Sequence, residues 1–96
     1  MPNEQPKDQP NTGELLQFPT SFPIKIMGKR VDGFAQAVSE VVLQFAPDFD
    51  PATIEFRPSK EGNYLGLTAT INATSRAQLD GLYLALTKHP MVKIVL

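Results

Sequence analysis

The chain has 96 residues, 42% of them hydrophobic, no cysteine and a formal charge of -1. That size supports one small domain with a single core, and the lack of cysteine excludes a disulfide framework, thiolate metal centres and a cysteine nucleophile, so packing alone must hold the fold. Nine basic residues against ten acidic ones supply no general positive field for a nucleic-acid backbone.

No apolar run approaches the roughly 20 residues of a membrane span. The polar start lacks the basic-then-apolar pattern of a secretory signal, so the expected compartment is the cytoplasm. Residues 1–13, MPNEQPKDQPNTG, carry three prolines and no large apolar side chain after Met1. Burial there cannot offset ordering entropy, and a disordered tail is expected. Residues 14–96 are read as one domain.

Leu15, Leu16 and Phe18 form a lead-in, with Pro19 and Pro23 opposing a helix. The first strand is expected over residues 22–28, with Phe22, Ile24 and Ile26 on one face and Lys25 and Met27 on the other. The spacing then changes to three and four. Val31, Phe34, Ala35, Val38, Val41, Val42 and Phe45 form the apolar stripe of a helix whose other face carries Gln36, Ser39, Glu40 and Gln44, and Pro47 ends it.

Residues 53–57 alternate as a short strand, with Ile54 and Phe56 inward and Glu55 and Arg57 outward. Gly62 and Asn63 suit a hairpin turn, the first by tolerating positive φ. Leu65, Leu67, Ala69 and Ile71 then alternate with Tyr64, Gly66, Thr68, Thr70 and Asn72, a strand with one core face and one open face. Residues 72–75 are expected to break that alternation. Ser75 followed by Gln78 has the form of a capping box. It opens a helix over residues 76–88 with Leu79, Leu82, Tyr83 and Leu86 on one face, closed by His89 and Pro90. Residues 91–96 form the last strand.

The order β-α-β-β-α-β predicts an α+β ferredoxin-like plait: a four-stranded antiparallel sheet with two helices on one face. The first and third strands belong in the centre, the second and fourth at the edges. The open face is then expected to mix Met27, Tyr64, Thr68, Thr70, Met91 and Val95 with Lys25, Glu55, Arg57 and Lys93.

Functions hosted by this plait are tested at their own residues. Residues 28–34 resemble the glycine-containing phosphate cradle of acylphosphatases, but Gln36 and Ala37 stand where the family's arginine is needed, and Asp32 repels phosphate. RNA-recognition plaits stack bases on several aromatic rings; here only Tyr64 falls on the open face, and one ring does not make a stacking platform. His89 beside a helix end suits capping or solvent and defines no metal site. Ser39, Ser59 and Ser75 lack the second histidine or spaced acid of a nucleophile, base and orienter set. The expectation is a protein that is not an enzyme and carries no cofactor and no metal.

Several motifs resemble the YbeD-like family of small bacterial proteins. They are E-L-L-x-F-P-T-x-F at residues 14–22, K-x-M-G at 25–28, G-N-Y at 62–64, T-I-N-A-T at 70–74 and V-x-x-V-L at 92–96. The resemblance implies a plait similar to the ACT regulatory domains of amino-acid metabolism and brings no catalytic residue with it. By analogy with those domains, the connection after the first strand, with Gly28, Lys29, Arg30 and Asp32, is the candidate ligand loop for a small anionic metabolite. The expected function is a non-catalytic regulatory or protein-interaction module. It would act as a homodimer or with a protein partner through the sheet edge or the open face, at Lys25, Met27, Tyr64, Thr68, Thr70 and Lys93. A weak RNA-binding plait is the alternative.

Overall fold

The computed structural model describes residues 16–96. The tail expected over residues 1–13, with Glu14 and Leu15 of the lead-in, lies outside them.

The elements follow the expected order: β1 (Thr20–Lys29), α1 (Phe34–Phe45), a 3-10 turn (Pro51–Thr53), β2 (Glu55–Pro58), β3 (Tyr64–Ala73), α2 (Arg76–Lys88) and β4 (Val92–Val95). The strands form one antiparallel sheet in the order β2-β3-β1-β4, so the two 10-residue strands are central and the two 4-residue strands are the edges. Short edges limit the exposed ladder available for unwanted pairing.

β1 pairs with β3 along its whole length, from Thr20 opposite Ala73 to Lys29 opposite Tyr64. It is longer than the residues 22–28 expected for it, and Pro23 sits inside it. The register explains how Pro23 fits. Lys25 exchanges hydrogen bonds with Leu96 on the β4 side, at 3.3 and 2.8 Å. Backbone polar groups alternate sides along a strand, so position 23 also turns away from β3, toward the β4 side. The missing N–H of Pro23 therefore costs the β1–β3 ladder nothing.

The core lies between the sheet and the helices. Ile24 and Ile26 from β1, Leu67, Ala69 and Ile71 from β3, Phe34, Val38 and Val42 from α1, and Leu79, Leu82 and Leu86 from α2 are all buried. Both amphipathic stripes thus face where their spacing directs them. Leu16 and Phe18 cover one margin. The capping box is present: the Gln78 N–H donates to Ser75 Oγ at 3.0 Å. Its return arm goes one residue further out, with Thr74 N–H donating to Gln78 Oε1 at 2.7 Å. The Gln78 amide also donates to the Phe45 carbonyl at 2.8 Å, tying the start of α2 to the end of α1.

Six residues are placed differently from expectation. Val31 is exposed, because α1 begins only at Phe34 after Gly33 in a left-handed conformation (φ 85°). Ser39 is buried although it lies outside the apolar stripe of α1, a helix that packs against α2. Phe56 shares the inward face with Leu67 yet is 58% exposed, because β2 is an edge that the helices do not reach. Ala73 continues the alternation of β3 and is buried. Met91 and Val95 pack against the core instead of the open face.

The last difference comes from a register shift in β4. Val95 pairs with Ile26 and Ile94 with Met27, but Gly28 pairs with Val92, leaving Lys93 as the extra residue of a bulge. Val92 and Val95 can then both face the core, three residues apart. Ile94 goes to the open face opposite Met27, and Leu96 follows it there opposite Lys25.

Tyr83 on α2 donates its hydroxyl to the Leu96 carbonyl at 3.2 Å, and burial raises the pKa of its phenol. No helix of the described residues is long and apolar enough to cross a membrane.

Candidate functional site

The open face is a grid of cross-strand rows. One runs Arg57, Gly66, Met27, Ile94; the next runs Glu55, Thr68, Lys25, Leu96. Tyr64 and Lys29 form the row toward the β2–β3 turn, and Pro23 with Thr70 the row on the other side. Directly opposed side chains on a sheet lie within about 4.5–5.5 Å at Cβ, so members of each row act as neighbours.

Gly66 is the centre of this grid. A glycine inside an alternating strand places no side chain there, and the surrounding residues wall a depression of about 550 Å³. Its lining includes Lys25, Met27, Arg57, Tyr64, Thr68 and Leu96. A Cβ at Gly66 would meet only the Arg57 carbonyl oxygen, at 3.4 Å, which is close to ordinary contact. Packing of neighbours therefore does not require this glycine.

Of the apolar groups that line the depression, Met27 and Tyr64 are each 41% exposed, Phe56 58% and Leu96 71%; Ile94, opposite Met27 on the same face but outside the lining, is 50% exposed. Burying such groups releases about 25 cal/mol per Å² of apolar surface, and Met27, Tyr64, Ile94 and Leu96 share a face that no other described element covers. Lys25 and Arg57 border the same depression from β1 and β2, with Glu55 beside them. The site thus offers an apolar floor, two cations, one carboxylate and the hydroxyls of Tyr64 and Thr68.

The structure gathers Lys25, Met27, Tyr64 and Thr68 of the expected interaction face at one place. Thr70 lies one row outside the depression, and Lys93 is exposed in the bulge of β4. Gly66, Ile94 and Leu96 were missing from the expected set. A lone glycine in a strand pattern is itself a signal of close approach or a gap; for Ile94 and Leu96 no signal existed, since a bulge leaves no mark in V-K-I-V-L.

The second expected site, residues 28–32, is built differently. Gly28 lies within β1 and is enclosed: a Cβ there would fall 2.3 Å from the Met91 carbonyl oxygen and 2.7 Å from the Phe34 ring. The Arg30 N–H donates to the Asn63 carbonyl at 3.0 Å and the Val31 N–H to that of Lys29 at 2.9 Å. These amides are engaged within the protein, and Lys29 points to the open face opposite Tyr64. Arg30 reaches over the hairpin turn, where Gly62 has φ 80°. His89 Nδ1 accepts from the Met91 N–H at 3.1 Å, so it caps the chain turning into β4. Among the described residues no three of His, Asp and Glu gather as metal ligands.

An antiparallel sheet in the order β2-β3-β1-β4 with two helices on one face defines an ACT-like ferredoxin plait. The solution NMR structure of the ACT domain from GTP pyrophosphokinase of Chlorobium tepidum superposes with a TM-score of 0.59 at 24% identity, covering 79% of this chain and 84% of that one. The solution structure of protein HP0495 from H. pylori gives a TM-score of 0.73 at 12% identity, covering 99% and 98%. At such identities the likeness concerns the fold.

Sequence supplies the finer placement: the chain belongs to the family described as protein of unknown function (DUF493), which matches residues 13–96. A UPF0250 protein of Bordetella pertussis is 63% identical over 87 residues, covering 91% of this chain and 96% of the relative. One from Leptothrix cholodnii is 57% identical over 90 residues, covering 94% and 99%. The resemblance drawn from the motifs agrees with this family of bacterial proteins.

Proposed function

We propose that this chain is a non-catalytic interaction module whose working surface is the open sheet face. The observation that carries this reading is the exposure of Met27, Tyr64 and Leu96 at the depression beside Gly66, with Ile94 next to Met27 on the same face and Lys25 and Arg57 in the lining. Exposed apolar side chains gathered on one face mark a surface that gains from being covered. The chain's single histidine accepts from the Met91 N–H at Nδ1, so that nitrogen serves the turn into β4.

A small organic anion is the alternative occupant of the same depression, because its volume falls within the roughly 300–1,000 Å³ of small-molecule sites. RNA binding has less support, as Tyr64 and Phe56 alone bring rings to the depression and Phe56 carries the inward parity of its strand.

The test compares capture of cellular partners by the tagged wild-type chain and by Ile94→Glu. Ile94 is half exposed, so the substitution leaves the core intact, which circular dichroism will verify. Partners held through this face are lost from the variant. An unchanged set of partners would place the working surface elsewhere.

A further inference from the structure

The overall charge of -1 conceals how charge is distributed. Among the described residues the open face holds three cations, Lys25, Lys29 and Arg57, against the one acid Glu55. Glu61 stands in the β2–β3 turn beside Tyr64, at the end of that face and away from Lys25 and Arg57, while Asp32, Glu40, Asp48, Asp50 and Asp80 lie off it, on the helices and connections. The exposed apolar groups therefore sit within the positive side of the molecule. Resting on the open-face reading, we infer that this surface docks an acidic protein segment bearing aliphatic side chains, with an aliphatic group seated at Gly66 and carboxylates beside Lys25 and Arg57.

Three features select this occupant. The lining of the depression joins the apolar groups of Met27, Leu96, Phe56 and Tyr64 to the bare backbone of Gly66, which fits an aliphatic side chain. Lys25 and Arg57 flank Gly66 from opposite strands, so carboxylates on either side of a seated side chain each find a cation. A second copy placed face to face would set three cations and one acid against the same set, which disfavours an isologous pair.

The experiment pans a random peptide library displayed on phage against the wild-type chain, with the double variant Lys25→Glu/Arg57→Glu for counter-selection. Gly66→Val is the second variant: it fills the depression, suits a strand, and meets only the Arg57 carbonyl oxygen. Gly66→Ala serves as its milder form if valine lowers stability. Enriched peptides are expected to combine Asp or Glu with Leu, Ile or Val. Their binding should weaken about tenfold or more in each variant and fall between about 50 and 300 mM salt. In amide NMR spectra they should shift Lys25, Met27, Gly66 and Ile94.

Enrichment of basic or neutral peptides, or none above the counter-selected background, overturns the inference. So does a mixed-sequence RNA oligonucleotide that shifts these amides when the peptides do not, or a dimer in sedimentation that protects them. The two readings remain separable. If Ile94→Glu loses cellular partners while the enriched peptides are not acidic, the working face stands and the partner class falls; if acidic peptides bind away from the open face, both fall.

Discussion

Replacing Gly28 by alanine tests whether this glycine serves packing or a ligand. An added Cβ would lie 2.3 Å from the Met91 carbonyl oxygen and 2.7 Å from two atoms of the Phe34 ring, about an ångström inside ordinary contact. Neither neighbour yields easily. Phe34 is 1% exposed, and Met91 is held by its N–H bond to His89 on one side and by the pairing of Val92 with Gly28 on the other. Overpacking of this kind costs about 1–3 kcal/mol, while glycine to alanine returns about 0.4–1 kcal/mol by restricting the unfolded chain. The expected net loss is about 1–2 kcal/mol. For a domain of this size each kcal/mol lowers Tm by about 4–8 °C, so thermal and urea unfolding followed by circular dichroism resolve it. Phe34→Leu in the same chain removes one of the two obstacles, so the double variant should lose less than the sum of the single losses. Gly33→Ala is the contrast: nothing lies within 4 Å of its Cβ, and its cost of about 1 kcal/mol comes only from φ 85°. A Gly28→Ala protein as stable as the wild type would refute the packing account and return residues 28–32 to consideration as a ligand loop.

The other predictions concern packing, capping and titration. Leu82→Ala, at a site with no exposure, should cost about 2–5 kcal/mol in urea unfolding, whereas Phe56→Thr on the exposed edge should change stability by less than about 0.5 kcal/mol. Gln78→Ala removes the bonds to Thr74 and to the Phe45 carbonyl together and should cost about 1–2 kcal/mol, with α1 and α2 both losing amide protection in hydrogen exchange. Tyr83 titrates above its ordinary value because burial penalises the phenolate. Its contribution is complete below the unfolded pKa of about 10 and declines as pH rises through the folded value. Tyr83→Phe should therefore flatten the alkaline loss of stability, seen as a smaller fall in the urea midpoint above about pH 10; an unchanged alkaline limb would assign that loss to other groups.

Most of the architecture is legible in one dimension because it rests on local periodicity. Leu67, Ala69 and Ile71 point inward since a strand alternates, Val38 and Val42 since a helix repeats at 3.6, and Ser75 with Gln78 opens α2 because those side chains satisfy backbone donors at that spacing. Short hydrophilic connections then leave the β-α-β-β-α-β plait as the arrangement that buries both stripes and one sheet face.

What depends on contacts across the sheet was not legible. Phe56 carries the inward parity of β2, but only the positions of the helices decide that an edge residue of that parity stays exposed. The bulge at Lys93 reassigns Val95 to the core and Ile94 and Leu96 to the open face, because register is set by pairing with β1 and not by V-K-I-V-L itself. Gly28 reads from sequence as the end of a strand, and only the approach of Met91 and Phe34 shows why no side chain fits there. Sequence by itself determined the elements, their order and the inner face of the central strands, all consequences of backbone geometry over a few residues. Tertiary structure alone decided which cations and apolar groups meet around Gly66, because neighbours on a sheet are set by register between segments distant along the chain.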